Sequence, residues 1–416
     1  MTIDLCSGGI FAAILGSRST VIKSALRRVD TICSYSPHRQ DYWRDRYIST
    51  LKEFTGFESV ALFSTGAEAT EAFWRVARVY TGKPGIWGGL VDPDEVGTDH
   101  PKCDAMHGMT LGAMIMAGRL TWSSLGVFPE LGGDWGHRFG MPHDKTGAMI
   151  MEPYHAPSAQ FHRIEPTITK IVEMHKTFPD ILFCVDEIQG GFGRTGKLWA
   201  HEHYKYPTGL PMIKPDFITI GKGCGGGLPL SALLGPKEVM ESDSVKEFGH
   251  LHSTHSGNPL MCSVGCAVIE AIQRGDLISE AARKGEILSQ MLAEFPVRTH
   301  SKGLLAGLEL LEGEPGVVTR KCLERGVQVC DTGRRWVKLG PALTLEPEIM
   351  AQGVQILREV VEEVIHERTP ASCGDRGQGP ETGGINLPGD GIPSSGTGDD
   401  QGGENGGQPG EPVRTS

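Results

Sequence analysis

The chain has 416 residues and a formal net charge of −11, with 39% hydrophobic and 22% charged residues. That length supports two domains and a large core, and the acidic balance excludes a general nucleic-acid surface, which needs a basic patch. No apolar run approaches the ~20 residues that cross a bilayer, so no membrane partner is expected.

The first apolar stretch, Gly9 to Gly16, follows Asp4 and has no basic lead-in, so a secretory signal is not expected. Ten scattered cysteines without a CxxC pair read as reduced thiols of a cytoplasmic protein. Val60 to Phe63 predicts a buried strand, followed by a helix from Ala67 to Tyr80. Ala148 to Met151 predicts another strand, and a helix is expected over Pro166 to Lys176. Ile181 to Val185 and Phe217 to Ile220 complete the strands of an α/β core with a mainly parallel sheet. A long helix is predicted from Pro259 to Arg274, then a smaller α+β unit to Arg368. From Pro370 to Ser416 there are seven acidic and two basic residues among glycine, proline and serine. Such a segment buries too little to offset its ordering entropy and reads as a disordered acidic tail. The expected division is 1–40, packing with the small domain; 41–258, the large α/β domain; 259–368, the small domain; and 369–416, the tail.

Ligands of open α/β sheets sit at the carboxyl ends of the strands, and three segments there carry chemistry. Ser64-Thr65-Gly66-Ala67 runs straight into a helix, whose free N–H groups and dipole attract an anion. Alone this is as well explained by a helix cap. Asp186 ends a strand and opens Asp186-Glu187-Ile188-Gln189-Gly190-Gly191. Lys222 follows the next strand among glycines, Gly221-Lys222-Gly223-Cys224-Gly225-Gly226-Gly227. By itself it would be a surface lysine on a loop. Together, a phosphate cradle, a strand-end aspartate and a strand-end lysine meet the needs of pyridoxal 5′-phosphate (PLP). The lysine amine forms an imine with the cofactor, and the aspartate keeps the ring nitrogen protonated.

The chain resembles the class III (ω-aminotransferase-like) family of fold-type I PLP enzymes. The resemblance rests on seven blocks in family order: Thr65 to Ala69, His107 to Ala113, Glu152-Pro153, Asp186 to Gly196, Lys222 to Ala232, Thr254 to Met261 and Ser301 to Leu310. It implies an aminotransferase acting on small-molecule amine and keto-acid substrates. Lys222 would be the Schiff-base lysine and Asp186 the pyridinium partner. Gln189 would bond near the cofactor's phenolic oxygen, and Thr65, Gly66 and Ala67 would bind its phosphate. Met106, His107 and Glu152 would complete the cofactor site. Thr254 would reach the cofactor of a neighbouring subunit, which implies a homodimer with shared active sites.

The chain also departs from the family. Met106 stands where an aromatic residue usually stacks on the ring. The segment that family members commonly carry ahead of Asp4 is absent. The second glutamate of the family's Glu-Pro block is missing from Glu152-Pro153-Tyr154-His155-Ala156. The substrate-binding arginine aligns with Lys338, which has charge without the bidentate fork; Arg334 or Arg335 could substitute. These changes predict a more open pocket and a substrate other than a plain dicarboxylate or ornithine-like amino acid, such as a larger conjugated amine.

The His250, His252, His255, Cys262, Cys266 cluster invites a metal reading, but it lies in the family's interface loop and on a core helix, so no metal is expected. His201-Glu202-His203 reads as a solvated turn and Cys224 as a small residue packed beside the cofactor loop. Cofactor motifs do not separate transamination from racemisation, aminomutation or decarboxylation on the same scaffold. An inactive binding protein is disfavoured by the intact Lys222 and Asp186.

Overall fold

The computed structural model describes residues 2–30, 41–83, 85–88, 146–156, 159–248, 251–332 and 335–368. In chain order these residues form β1 (Ile3–Asp4), α1 (Thr20–Leu26), α2 (Tyr42–Thr55), β2 (Ser59–Phe63), α3 (Gly66–Thr81), β3 (Gly85–Gly88) and β4 (Thr146–Met151). A short hairpin, β5 (Tyr154–His155) and β6 (Gln160–Phe161), leads to α4 (Thr169–Thr177), β7 (Leu182–Asp186), β8 (Phe217–Ile220) and β9 (Ser231–Gly235). Two short helices, α5 (Lys237–Met240) and α6 (Asp243–Phe248), precede α7 (Pro259–Arg274) and α8 (Leu277–Leu292). The remainder is β10 (Thr299–Lys302), β11 (Leu305–Glu309), α9 (Glu314–Glu324), β12 (Val327–Gln328), β13 (Cys330–Asp331), β14 (Trp336–Leu339) and α10 (Pro347–Arg368).

The six-stranded sheet has the order β2-β9-β8-β7-β4-β3. β3, β4, β7 and β8 pair in parallel, and β9 runs antiparallel to both β8 and β2. Five strands therefore point their carboxyl ends to one edge, while β9 starts there. Strands β4, β8 and β9 are buried along their whole length, which explains their continuous apolar runs: both faces are covered. Ala148, Ile150 and Cys184 pack with Phe73 and Val76 of α3, whereas Met149, Met151, Phe183 and Val185 pack with Ile171 of α4. That alternation is the two-residue period of a strand. Helix α3 starts because Thr65 accepts the Glu68 N–H while Glu68 accepts the Thr65 N–H, a reciprocal capping box, and it ends on left-handed Gly82.

The expected helix over Pro166 to Lys176 is shorter in the structure. Residues Ile164–Ile168 form an irregular turn with Glu165 extended (φ −105°, ψ 130°), and the regular helix starts at Thr169. A residue before proline is pushed out of the helical region, and Glu165 precedes Pro166. The predicted helix Pro259–Arg274 is present over those residues, with Asn258 as its cap and Pro259 in its first turn.

The second sheet has the order β10-β11-β14-β13, all antiparallel. It shares a core with α8, α9 and α10 through Leu288, Val318, Leu308, Val337 and Leu357. β1 pairs in parallel with β12, which ties the N-terminal segment to this half. The division of the described chain at residue 258 is a proposal resting on these two separate sheets. The tail from residue 370 lies outside the described residues.

One close approach joins the halves. A Cβ on Gly285 of α8 would stand 2.4 Å from Gly303 Cα, and one on Gly303 (φ +54°) would stand 2.2 Å from the Thr195 carbonyl carbon. All three segments meet backbone to backbone, so neither side can yield by a rotamer change. Gly303→Ala is expected to cost ~1–3 kcal/mol or more through overpacking, read as a lowered urea midpoint without a change in slope.

Candidate active site

The carboxyl edge of the large sheet carries Thr65 after β2, Glu152 after β4, Asp186 ending β7 and Lys222 after β8. Ser231, the first residue of β9, joins the two sides of this edge: its hydroxyl donates to the Thr65 carbonyl at 2.6 Å.

The cradle is the start of α3. Glu68 Oε2 accepts the N–H groups of Ser64 (3.0 Å) and Thr65 (2.8 Å) and the Thr65 hydroxyl (3.1 Å). The N–H groups of Gly66 and Ala67 open the helix and have no partner within it. Gly66 is required by its surroundings, since a Cβ there would be 2.6 Å from Ile188 Cδ1. A Cβ on Gly221 would likewise meet Ile188 Cγ2 at 3.1 Å and Gly66 Cα at 3.6 Å. Ile188 thus touches the cradle and the residue before Lys222, two residues beyond Asp186. It is an apolar side chain at the meeting point of three strand ends.

Asp186 is 3% exposed and its Oδ1 accepts the Ile188 N–H at 2.9 Å. Burial pushes its carboxyl up to about 6, against the pull of that N–H and of the Lys222 charge. Removal from water and the adjacent Asp186 hold the Glu152 carboxyl well above the usual range, with Lys222 and Lys338 pulling it down. Neighbouring Glu187 has a different job. Its carboxylate accepts the N–H groups of Ala200 (2.9 Å) and His201 (3.0 Å) and pairs with His201 Nδ1 at 2.8 Å.

Lys222 opens a 3-10 turn, Lys222–Gly225, with a left-handed φ of +44°. A non-glycine residue there stores of order ~1–3 kcal/mol and persists only where its surroundings enforce it. The turn is wedged between elements. A Cβ on Gly223 would be 2.9 Å from Ile14, and one on Gly226 would be 2.7 Å from Ile22 and 2.9 Å from Val268. Buried Cys224 donates its thiol to the Leu230 carbonyl at 3.3 Å, so it packs beside this loop as its sequence context predicts.

Lys338 enters from the second sheet. It is 5% exposed, its Nζ donates to the Ala156 carbonyl at 2.6 Å, and it stands 5.1 Å from the centre of the Phe11 ring. Burial lowers its ammonium to about 8. On the Arg194 side, Phe11 has a guanidinium 5.9 Å from its centre. Buried Arg194 bonds the carbonyls of Pro341 and Phe11 and the Ser7 hydroxyl, and burial lowers it to about 10.

Several expectations need correction. Arg335 is not brought to this edge. Its Nε donates to the Leu310 carbonyl at 3.2 Å and its guanidinium pairs with Glu309 at 3.3 Å. It stands three positions from Lys338, and an odd offset along an extended chain faces the other way. His201 and His203 are not a solvated turn: His201 is 7% exposed and tied to Glu187, and His203 Nε2 meets the Thr195 carbonyl at 3.1 Å. Burial drops the His203 imidazole to about 4. Gln189 is buried near Asp186, and Thr254 is exposed on the loop before α7. Met106, His107 and Arg334 lie outside the described residues. Two residues of the site were missed in the sequence, Ile188 and Phe11. Both are apolar and carry no chemical signal; only their contacts reveal them. Among the described residues, no group of three His, Cys, Asp or Glu side chains is close enough to hold a metal ion. No described helix is long and apolar enough to cross a membrane.

The arrangement of strands, helices and strand-end residues is that of a fold-type I PLP transferase. An S-selective transaminase from Arthrobacter sp. shares the fold with a TM-score of 0.69 over 88% of this chain and 90% of that one, at 19% identity. Aminotransferase class-III, as a family, matches residues 139–361. An acetylornithine aminotransferase from Archaeoglobus fulgidus is 30% identical over 314 residues, which is 74% of this chain and 76% of the relative. A [LysW]-aminoadipate semialdehyde/glutamate semialdehyde transaminase from Sulfolobus acidocaldarius is 27% identical over 84% of this chain and 88% of its own length. The chain belongs to the class-III aminotransferases and is a PLP-dependent aminotransferase.

The donor set fits that cofactor. A helix start with a glycine that no larger residue can replace suits a phosphate. A buried carboxylate bonded to the Ile188 N–H, beside a strand end whose next residue is a lysine, suits a ring with a basic nitrogen at one side and an aldehyde at the other.

Proposed function

We propose that Lys222 is the residue that joins the cofactor covalently and moves the proton in amino transfer, with Asp186 holding the ring nitrogen protonated. The observation that carries this reading is Ile188, which touches both Gly66 and Gly221 while Asp186 lies two residues before it. That one side chain borders both the cradle and the residue before Lys222 supports a cofactor lying across these strand ends. PLP, when bound, supplies an electron sink that stabilises a carbanion at the substrate carbon. The chain does the rest. The start of α3 neutralises the phosphate with the N–H groups of Gly66 and Ala67, and Thr65 joins them when its hydroxyl turns away from Glu68. Gln189 and Glu152 would complete the surround. Thr254 of a second subunit would close the phosphate end in a homodimer.

On the substrate side, Lys338 gives a donor carboxylate one ammonium rather than a fork. Arg335 does not add a second. This supports an amine donor with a single carboxylate and an extended far end over a plain dicarboxylate. Two predictions follow from Lys338. Lys338→Met should raise KM for carboxylate-bearing donors ~10-fold or more, the worth of a charge-assisted bond, and leave simple amines little changed. Because the ammonium is protonated only below about 8, donor KM should be flat at lower pH and climb above it. Lys338→Arg should remove that climb.

The test is a half-reaction followed by absorbance across an amine panel. Conversion by the donor, recovered only on adding a keto acid, supports transamination. Recovery without a keto acid would indicate racemisation, aminomutation or decarboxylation. Glutamate or acetylornithine emerging as best by far would overturn the substrate proposal and leave the reaction intact.

A further inference from the structure

Strand β1 pairs in parallel with β12, Ile3 opposite Val327 and Asp4 opposite Gln328. The pairing runs one step further, since the Leu5 N–H donates to the Gln328 carbonyl at 2.9 Å. Two residues beyond the last registered pair in each strand stand Cys6 and Cys330. The strand pairing stops at Leu5, because the Leu5 carbonyl accepts the Gly340 N–H and Cys6 (φ −135°, ψ 19°) begins the irregular turn; Cys330 nevertheless lies near enough to Cys6 to help raise its thiol. Disulfides bridge Cα atoms ~4.4–6.8 Å apart. Cys330 packs against the small apolar cluster that contains Cys6, Phe11, Tyr154 and Leu305. Cys330 is also the one partly exposed cysteine among the described residues; Cys6, Cys184, Cys224, Cys262, Cys266 and Cys322 are buried.

Both thiols adjoin the substrate side of the site. Cys330 is the register partner of Lys338. The Cys6 carbonyl accepts the N–H groups of Gly9 (3.2 Å) and Phe11 (2.9 Å), closing the tight turn that presents Phe11 to Lys338. That turn is strained: Ser7, Gly8, Gly9 and Phe11 all have positive φ.

We propose that Cys6 and Cys330 are a reversible disulfide pair that fastens this turn to β13 and so sets the Phe11–Lys338 wall of the pocket. The oxidant is a low-molecular-weight disulfide. The Cys330 thiolate attacks one of its sulfurs and releases one thiol, leaving a mixed disulfide. The Cys6 thiolate then attacks the Cys330 sulfur and releases the second thiol. The protein loses two protons and two electrons, and the small disulfide is reduced by the same amount. Burial raises both thiols, far up for Cys6, while Lys338 and Lys222 draw Cys330 down. The pair therefore reacts slowly at neutral pH and faster as pH rises.

Bridge formation is independent of the roles proposed for Lys222 and Asp186; its effect on donor binding rests on Lys338. The test treats reduced holoenzyme with bis(2-hydroxyethyl) disulfide at alkaline pH, alkylates the remaining thiols and maps peptides by mass. A Cys6–Cys330 peptide pair is expected in the wild type, absent from Cys6→Ser and Cys330→Ser and lost on adding dithiothreitol. Closing so long a loop should raise the thermal midpoint by ~5 °C. Donor KM should shift several-fold while the bound-cofactor spectrum stays as in the reduced enzyme. A persistent mixed disulfide at Cys330, a different bridge, or no bridge overturns the pair. A Cys6–Cys330 bridge with unchanged donor KM overturns its control of the pocket. Loss of the cofactor spectrum before oxidation would count against the Lys222 reading alone.

Discussion

Lys222→Ala is expected to abolish the absorbance of the cofactor's covalent link and to lower kcat by ~10³-fold or more, since nucleophile and proton carrier are lost together. The fold should survive. The turn that holds Lys222 is wedged by Ile14, Ile22 and Val268 against its glycines Gly223 and Gly226, contacts that the substitution leaves in place. The cradle and Asp186 remain, so the cofactor should still bind, but dissociably on dialysis. Borohydride treatment of the wild type should fix the cofactor mass on the peptide containing Lys222, and no peptide of the variant should carry it. A further variant reads the backbone. Since Lys222 has φ +44°, Lys222→Gly should be more stable than Lys222→Ala by ~1 kcal/mol, because glycine enters that region without penalty. Retention of a reducible link in Lys222→Ala would assign the chemistry to another amine.

The second large effect concerns Asp186, where stability and function should move in opposite directions. Its carboxyl is raised from the ordinary range to about 6 by burial. A raised acid binds its proton more tightly folded than unfolded, so that contribution to stability is present below about 4 and lost as pH rises through about 6. Asn carries no such term. From acid to neutral pH, the apoenzyme stability of Asp186→Asn relative to wild type should therefore improve by ~2–3 kcal/mol, at 1.36 kcal/mol per unit. Denaturant midpoints of both apoproteins at several pH values check this. The holoenzyme should show the reverse. Without the carboxylate the ring nitrogen is not held protonated, and kcat should fall by ~10²-fold or more as electron withdrawal weakens. Equal pH profiles for the two apoproteins would remove the claim that burial strains Asp186.

The strand-end residues proposed for the chemistry stand out in the sequence because aspartate and glycine-flanked lysine are poor choices for a buried strand end unless something uses them. The parallel core was legible for the same reason, as continuous apolar runs require two covered faces. Ile188 was not, since an isoleucine between Glu187 and Gln189 reads as filler until its contact with Gly66 and Gly221 is seen. Phe11 was hidden within an apolar stretch whose left-handed turn no periodicity announces. Arg335 misled because closeness in sequence to Lys338 says nothing about which face of a strand a residue takes. Proline at 166 carried a boundary signal through its effect on Glu165, and the helix begins after it.

The reversed strand β9 has a bearing on how the site tolerates damage. β8 and β9 are joined by the short segment that contains Lys222, and Ser231 grips the carbonyl of Thr65. The proposed anion anchor and the proposed reactive amine are thus mounted on the two strands that flank β9, like the two jaws of a caliper set by one hydroxyl. Distortion elsewhere, in the second sheet or around β3, can tilt the substrate wall without altering that gap. Variation of donor specificity in this scaffold can therefore accumulate on the Phe11–Lys338 side while the cofactor's span stays constant.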